Sequence, residues 1–329
     1  MESFVKEITS TKKEIKIIVP FEDIKKFIAQ TEKEIVQNFE MKGFRKGQVP
    51  KEIVLKEIGQ EKILSQAAPI AVEEFYLQAI KNNGLEPLGS PEIEILKLAF
   101  NNPLEFKAII SILPEIKLSD YRKVAQKVKK QEVIIKDEEV EEAIKQLQDV
   151  KDKMPKEQQE KISFGKGEEL KTTIRAQIKK EKETTEKQRV RDEILNEISK
   201  DCSFSVPEVL TLREKERAME ELKRNVTNFL KISFEDYLKK NKKSEKELED
   251  SLKPKIIEKI KKILILREIQ KLEKIDAEED EVEKEVKMFL EHPANEKTKQ
   301  EIDQVALKSY LKERIEQEKT LQFLENLIK

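Results

Sequence analysis

Residues 41–50 read Met41-Lys42-Gly43-Phe44-Arg45-Lys46-Gly47-Gln48-Val49-Pro50. Two glycines bracket an aromatic ring and two cations. Glycine permits positive φ and tight reversal, so Phe44, Arg45 and Lys46 are expected at a projecting tip. Between Lys42 and Lys51 there are four basic residues and no acidic one. An apolar ring beside cations suits docking onto a surface that offers both a hydrophobic groove and phosphates or carboxylates. Arginine can grip either anion with a fork of two hydrogen bonds, and phosphate contacts would make the docking weaken with salt. The plainer alternative is that Phe44 plugs the core of its own domain while the cations face water.

Other chemistry is poorly served. The only His is His292, before Pro293 in a polar stretch, and the only Cys is Cys202. One of each leaves no internal disulfide, no ordinary zinc site and no Ser-His-Asp or Cys-His arrangement except through His292. No glycine-rich phosphate loop with a following Lys-Ser/Thr is present. Aromatic residues make up 5% of the chain, with no Trp, too few to line a deep ligand pocket. No catalytic residue, metal or cofactor is expected.

Composition then limits the scaffold. Lys plus Arg number 66 and Asp plus Glu 67, a net charge of -1, so overall charge points to neither nucleic acid nor membrane. Charged residues are 40%, against about 25% in typical domains. Apolar residues reach 37%, too many for a disordered chain and too few for one thick core. Long, thin helices with one buried stripe each reconcile the two. The N-terminus lacks a secretory apolar segment, and runs such as Ile263–Leu266 fall far short of the ~20 residues of a membrane span. A soluble, cytoplasmic protein is expected.

Five of seven glycines lie between Gly43 and Gly89, and eight of fourteen phenylalanines at or before Phe106, so bulky core and turn chemistry concentrate in the first part. Beyond it the chain becomes Lys/Glu-rich. The predicted organisation is residues 1–113 as an α+β domain, 114–160 as a linker with a helix, and 161–329 as an extended all-α domain of long helices. In the first domain, alternation within Val5–Val19 predicts strands. Pro20 opens a helix with Phe21, Ile24, Phe27, Ile28 and Ile35 on one stripe. Pro50 starts a short helix with Ile53, Val54 and Ile58 inward, stopped by Gly59. A helix over about 61–82 and strands over 92–98 and 104–113 complete an antiparallel sheet with helices.

Residues 117–135 read as a connector, with Val133–Ile135 able to add a strand. Asp137 is predicted to cap a helix reaching about Lys153, before a break at Met154–Glu160. Long helices are then expected over 168–200, from Pro207 to about Leu230, after Ser233, after Ser244, after Asp276, and from about Glu296 to Leu327. Ile257, Ile260, Ile263, Leu266, Ile269, Leu272 and Ile275 recur at every third position. At ~100° per residue this ladder winds around a helix, leaving either a core helix with several neighbours or a partly open apolar surface.

Gly43-Phe44-Arg45-Lys46-Gly47 with Pro50 resembles the ribosome-binding signature of the trigger factor family, and it falls between a first helix and a short Pro-initiated one. Phe164-Gly-Lys-Gly-Glu-Glu-Leu170 and Ser205-Val-Pro207-Glu-Val-Leu210 resemble the family's helix starts in its C-terminal domain. The resemblance implies an ATP-independent chaperone docked at the exit tunnel of the large ribosomal subunit, on a tunnel-exit protein and adjacent rRNA. Phe44, Arg45 and Lys46 would make contact, with Lys42 beside them, while Gly43, Gly47 and Pro50 shape the loop. Unfolded nascent polypeptides would be its clients, and Ile263, Leu266, Leu307, Leu311 and Phe323 are candidate client contacts. A homodimer of the free protein stays open.

Most members of the family carry a prolyl-isomerase domain of the FK506-binding type after the linker helix. Here about ten residues separate Lys153 from Phe164, against the ~40 that even a marginal domain needs. A form lacking that domain, and no isomerase activity, is expected. The alternatives are a ribosome-independent holdase or a helical scaffold. The absence of strict heptads opposes the scaffold.

Overall fold

A computed structural model describes residues 1–153, 168–292 and 302–328. Two hairpin strands, β1 (Glu2–Thr9) and β2 (Lys12–Val19), lead into α1 (Phe21–Asn38), α2 (Lys51–Ile58) and α3 (Gln60–Asn82); β3 (Glu92–Lys97) and β4 (Leu104–Ser111) follow. The four strands form one antiparallel sheet in the order β1-β2-β4-β3. Alternation sets its register: Ile15, Ile17 and Val19 of β2 and Leu104, Phe106, Ala108 and Ile110 of β4 all point to one face and are buried. A one-residue slip would turn that whole set outward.

Helices α1 and α3 cover this face. On α3 the buried residues are Ile63, Leu64, Ala67, Ala68, Ala71, Val72, Phe75, Tyr76 and Ala79, a two-wide stripe at helical spacing. Its alanines let the backbone lie close to the strands. From α1, Ile24, Phe27 and Ile28 enter the same core, with Phe21 and Ile35 packed at its margin. Phe27 meets Phe75 edge-on at 5.8 Å. In α2, Val54 is buried but Ile53 is exposed; Leu55 and Ile58 pack against the core instead. The turn's orientation, which the short sequence did not settle, decides this.

Both outer strands stay largely uncovered. Phe4 and Val5 of β1 and Ile93 and Ile95 of β3 are exposed. Each edge also carries a register irregularity, at Glu7/Thr9 and at Ile95/Lys97.

The expected connector contains a helix, α4 (Tyr121–Lys127), capped by the Asp120 side chain accepting the Lys123 N–H at 3.2 Å. Val133–Ile135 forms no strand; the nearby chain is held by Glu186, which accepts the Gln131 N–H at 2.6 Å. Beyond it lie α5 (Asp137–Asp152), α6 (Glu168–Lys200) and α7 (Glu208–Asn225). A single π-helical turn (Val226–Leu230) and then α8 (Phe234–Asn241), α9 (Glu245–Glu273), α10 (Glu279–Glu291) and α11 (Gln304–Asn326) complete the described order. The expected break at Met154–Glu160, the 160/161 boundary and Phe164–Gly167 lie outside the described residues; the last helix, expected from near Glu296, starts instead at Gln304, where the Asp303 side chain accepts the Val305 and Ala306 N–H groups.

Two expected caps shift. Asp137 is the first residue of α5, and Glu139 accepts the Lys136 N–H at 3.2 Å; the Asp137 carboxylate is engaged by Arg175. Glu278, not Asp276, caps α10 in a reciprocal box with Glu281. Ser233 and Ser244 cap α8 and α9, each accepting the N–H three residues on.

Packing groups the chain into two compact units: Met1–Glu115 with Phe204–Ile260, and Ile116–Ser203 with Lys261–Lys329. In the first, Lys12 of β2 pairs with Glu208 at the start of α7 at 3.1 Å. In the second, α6 packs on α4, α5 and α11, and α10 on α11. Arg191 of α6 is buried there. It donates to Glu318 through two nitrogens at 2.7 and 2.6 Å and to Glu325 through a third. Likewise Glu273, at the end of α9, accepts from Tyr121 and from both ends of the Arg122 fork.

The Arg191 guanidinium holds the Glu318 carboxyl down at about 2. An unfolded Glu titrates near about 4.3. The pair therefore stabilises fully above that value and is lost as pH falls toward about 2. Thermal unfolding at graded pH should show wild type losing stability across this window. Arg191→Met should be less stable at neutral pH and flatter between pH about 4.5 and 2.

Candidate functional site

The loop between α1 and α2 is built by its backbone. Phe44 N–H donates to the Met41 carbonyl at 3.1 Å, and Gln48 N–H to the Arg45 carbonyl at 3.0 Å, so two turns follow in succession. Gly47 N–H reaches back to the Phe39 carbonyl at 3.2 Å and closes the loop. Gly43 and Gly47 adopt φ of 100° and 71°, values that L side chains rarely take. Gly47 has a second constraint: a Cβ there would sit 2.7 Å from the Gln37 carbonyl oxygen at the end of α1.

Val49, not Phe44, plugs the domain. Val49 is buried, as is Val54. They stand at the two positions of a hydrophobic staple around the α2 N-terminus. Pro50 is the N-cap, and its carbonyl accepts the Ile53 and Val54 N–H groups at 3.0 and 3.2 Å. Phe44 is 45% exposed, and Lys42, Arg45 and Lys46 are exposed around it.

The charge is less open than the sequence alone suggests. Lys46 pairs with Glu40 at 3.3 Å and Lys51 with Glu32 at 2.7 Å. Both carboxylates come from outside the basic stretch, on or just after α1. Lys42 and Arg45 have no ion-pair partner among the described residues. The Lys46–Glu40 pair is exposed on both sides, and such pairs contribute about 0–1 kcal/mol, so Lys46 is readily released. The tip presents one ring, one unpaired guanidinium and two lysines.

The candidate client residues separate by burial. Leu266, Leu307 and Leu311 are buried, so they are core positions and not open surface. Phe323 is half-buried, with the Arg122 guanidinium over its ring at 5.6 Å. Ile263 is exposed and lines a cleft of about 570 Å³ between α9 and α11, with Arg267, Lys271 and Lys312. Along α9 the buried residues are Ile256, Ile260, Leu264, Ile265, Leu266 and Ile269, while Ile263 and Leu272 are exposed. The three-step ladder is thus partly core and partly open. A second cleft, of about 620 Å³, lies between α10 and α11 over Val286, Leu290 and Val305. The sequence alone does not show it, because only the pairing of α10 with α11 brings Val286, Leu290 and Val305 together. Among the described residues no cluster of His, Cys, Asp or Glu could hold a metal, and no helix is long and apolar enough to cross a membrane.

A sheet-and-helix domain with a glycine-bracketed basic loop, continued by long charged helices, defines a class of loop-bearing, helix-armed proteins. Comparison with known proteins is specific. The model described as bacterial trigger factor protein matches residues 1–147, and that described as its C-terminus matches residues 168–326. The chain belongs to the trigger factor family.

Trigger factor of Nocardioides sp. is 36% identical over 149 residues, 45% of this chain and 31% of that protein. Trigger factor of Geobacillus kaustophilus is 35% identical over 131 residues, 40% of this chain and 30% of that one. The chain thus spans about a third of the length of the curated relatives it matches. A solved trigger factor chaperone structure, from work on promiscuous substrate recognition in folding and assembly, covers 99% of both chains. Its TM-score is 0.58 at 15% identity, a likeness of fold. Between the two matched regions only residues 148–167 remain, fitting a form without the isomerase domain.

Gly47→Ala combines a forbidden φ with a backbone clash and should destabilise the loop by about 1–3 kcal/mol. Gly43→Ala, with open space around its Cβ, should cost less. Hydrogen exchange at the Gly47 and Gln48 amides would rank the two.

Proposed function

We propose that this protein is an ATP-independent chaperone of the cytoplasm. It docks at the exit tunnel of the large ribosomal subunit and holds emerging chains. The observation that carries this reading is the Gly43–Gly47 tip. Phe44 is displayed to solvent although Val49, five residues on, fills the core beneath it. An exposed ring beside the unpaired Arg45 and Lys42 is suited to a surface that mixes an apolar groove with phosphate or carboxylate. Gly43, Gly47 and Pro50 fix the turn, so docking costs little ordering. The partners are a tunnel-exit protein and adjacent rRNA.

In this reading residues 1–113 anchor the molecule, and 114–160 and 161–329 supply the linker and the client-holding helices. Clients are unfolded polypeptides. Ile263 in the α9–α11 cleft and Val305 in the α10–α11 cleft are the apolar contacts. Charged residues rim both clefts, so each contact is small and reversible. No nucleotide drives release, and no prolyl isomerisation accompanies it.

Co-sedimentation with large ribosomal subunits tests the anchor. Wild type should pellet, and the Phe44→Ala, Arg45→Ala, Lys46→Ala triple variant should lose at least tenfold in affinity; equal pelleting would remove the loop from the account. In a nucleotide-free aggregation assay with a denatured client, Ile263→Ser with Val305→Ser should suppress aggregation less than wild type. A proline-peptide assay should stay at background, and turnover above it would overturn the isomerase statement.

A further inference from the structure

A second cationic feature stands apart from the loop. It lies where the helical hairpin of α7 and α9 turns, across the π-helical turn and α8. Residues 223–243 contain Lys223, Arg224, Lys231, Lys239, Lys240, Lys242 and Lys243 against Glu235 and Asp236, a net +5 in a chain of net -1 (7 − 2 = 5). Elsewhere on the long helices several cations are matched across neighbours, as in Lys182–Glu139, Lys308–Glu279 and Arg122–Glu273. Here Lys223 alone is matched, to Glu245 at 2.7 Å. The other six cations are exposed and have no ion-pair partner among the described residues.

The turn also displays apolar side chains. Phe229 is 79% exposed and Leu230 is 55% exposed. The π-helical turn that carries them ends on Lys231 in the left-handed region, φ 54°. Phe234 and Tyr237 of α8 are stacked at 6.2 Å and only half-exposed, and α8 packs on the π turn. The apolar residues of α8 are thus engaged within the tip, leaving Phe229 and Leu230 to face a partner.

We infer that this tip is an RNA-binding surface, in which Lys239, Lys240, Lys242 and Lys243 contact backbone phosphates and Phe229 stacks on an unpaired base. Charge complementarity selects a polyanion. A single displayed ring amid unpaired cations suits a base and its phosphates, since stacking accepts any base while cations track the backbone. A bilayer fits less well, because interfacial binding needs a continuous apolar helix face, and the face of α8 is occupied. This surface is separate from the Gly43–Gly47 loop and does not depend on the loop's role.

The test uses the full chain already carrying Phe44→Ala, Arg45→Ala and Lys46→Ala, so that only the tip is read. Fluorescence anisotropy with a labelled RNA stem-loop bearing an unpaired loop gives affinity across a salt series. Lys239→Ser, Lys240→Ser, Lys242→Ser and Lys243→Ser together should weaken binding at least tenfold. Each phosphate that is no longer neutralised should lower the log–log salt slope by about 0.7–0.9. Phe229→Ser should weaken binding several-fold with the slope unchanged. Circular dichroism melts should coincide, because all five side chains are exposed. Equal RNA affinity of the lysine variant and its parent would overturn the inference. So would tip-dependent binding to phosphatidylglycerol vesicles without RNA binding, or competition by polyglutamate as effective as by unlabelled RNA at equal charge.

Discussion

Ile15, Ile17 and Val19 of β2 and Leu104, Phe106, Ala108 and Ile110 of β4 present one apolar face, and α1 and α3 must lie on it. The arrangement of the loop between α1 and α2 follows from that burial. With α1 fixed, Gln37 near its end has a fixed carbonyl, and Gly47 packs against it. With Val54 inward, α2 is fixed in rotation, and Val49 is drawn under the loop. Once both ends of the loop are tied, the residues between them have no core to enter. Phe44 is therefore displayed as a consequence of packing that it takes no part in.

The helical half is held differently. Its apolar stripes are narrow, and much of its specificity comes from charges placed on facing helices. Arg191 gathers Glu318 and Glu325 of α11 onto α6; Glu273 gathers Tyr121 and Arg122 onto the end of α9. A buried guanidinium with forked partners sets register more surely than it adds stability. Exposed pairs such as Lys182–Glu139 add little singly. Long helices joined in this way keep apolar residues such as Ile263 and Val305 open, because no thick core competes for them.

Much of this was legible in sequence, and the misses have physical reasons. Period-two and helical patterns located β3, β4, α3, α5 and α6 within about two residues, since apolar spacing is dictated by which face is buried; α11 starts at Gln304 instead of near Glu296, where polar residues carry no such spacing. Pro20, Pro50 and Pro207 marked helix starts because each fits an extended cap before a helical turn. The Gly43–Gly47 stretch was readable as a tip, because positive φ and glycine go together. The helix α4 was missed: it is short, and its cap, Asp120, was masked by a connector's polar composition. Leu266, Leu307 and Leu311 could not be told from Ile263, because burial on a helix with several neighbours is decided by those neighbours. The anionic partners of Lys46 and Lys51 were hidden for the same reason, lying elsewhere in the chain.

The two uncovered edges of the sheet bear on a different hazard. An extended polypeptide meeting β1 or β3 would find free backbone groups, the usual invitation to add a strand. Both edges break their ladder, at Glu7/Thr9 and at Ile95/Lys97, and both carry Lys and Glu among their apolar residues. An incoming strand would lose register at the irregularity and bury charge alongside it. The sheet is thereby shielded from growing by templated addition, and two exposed edges coexist with a single four-stranded register.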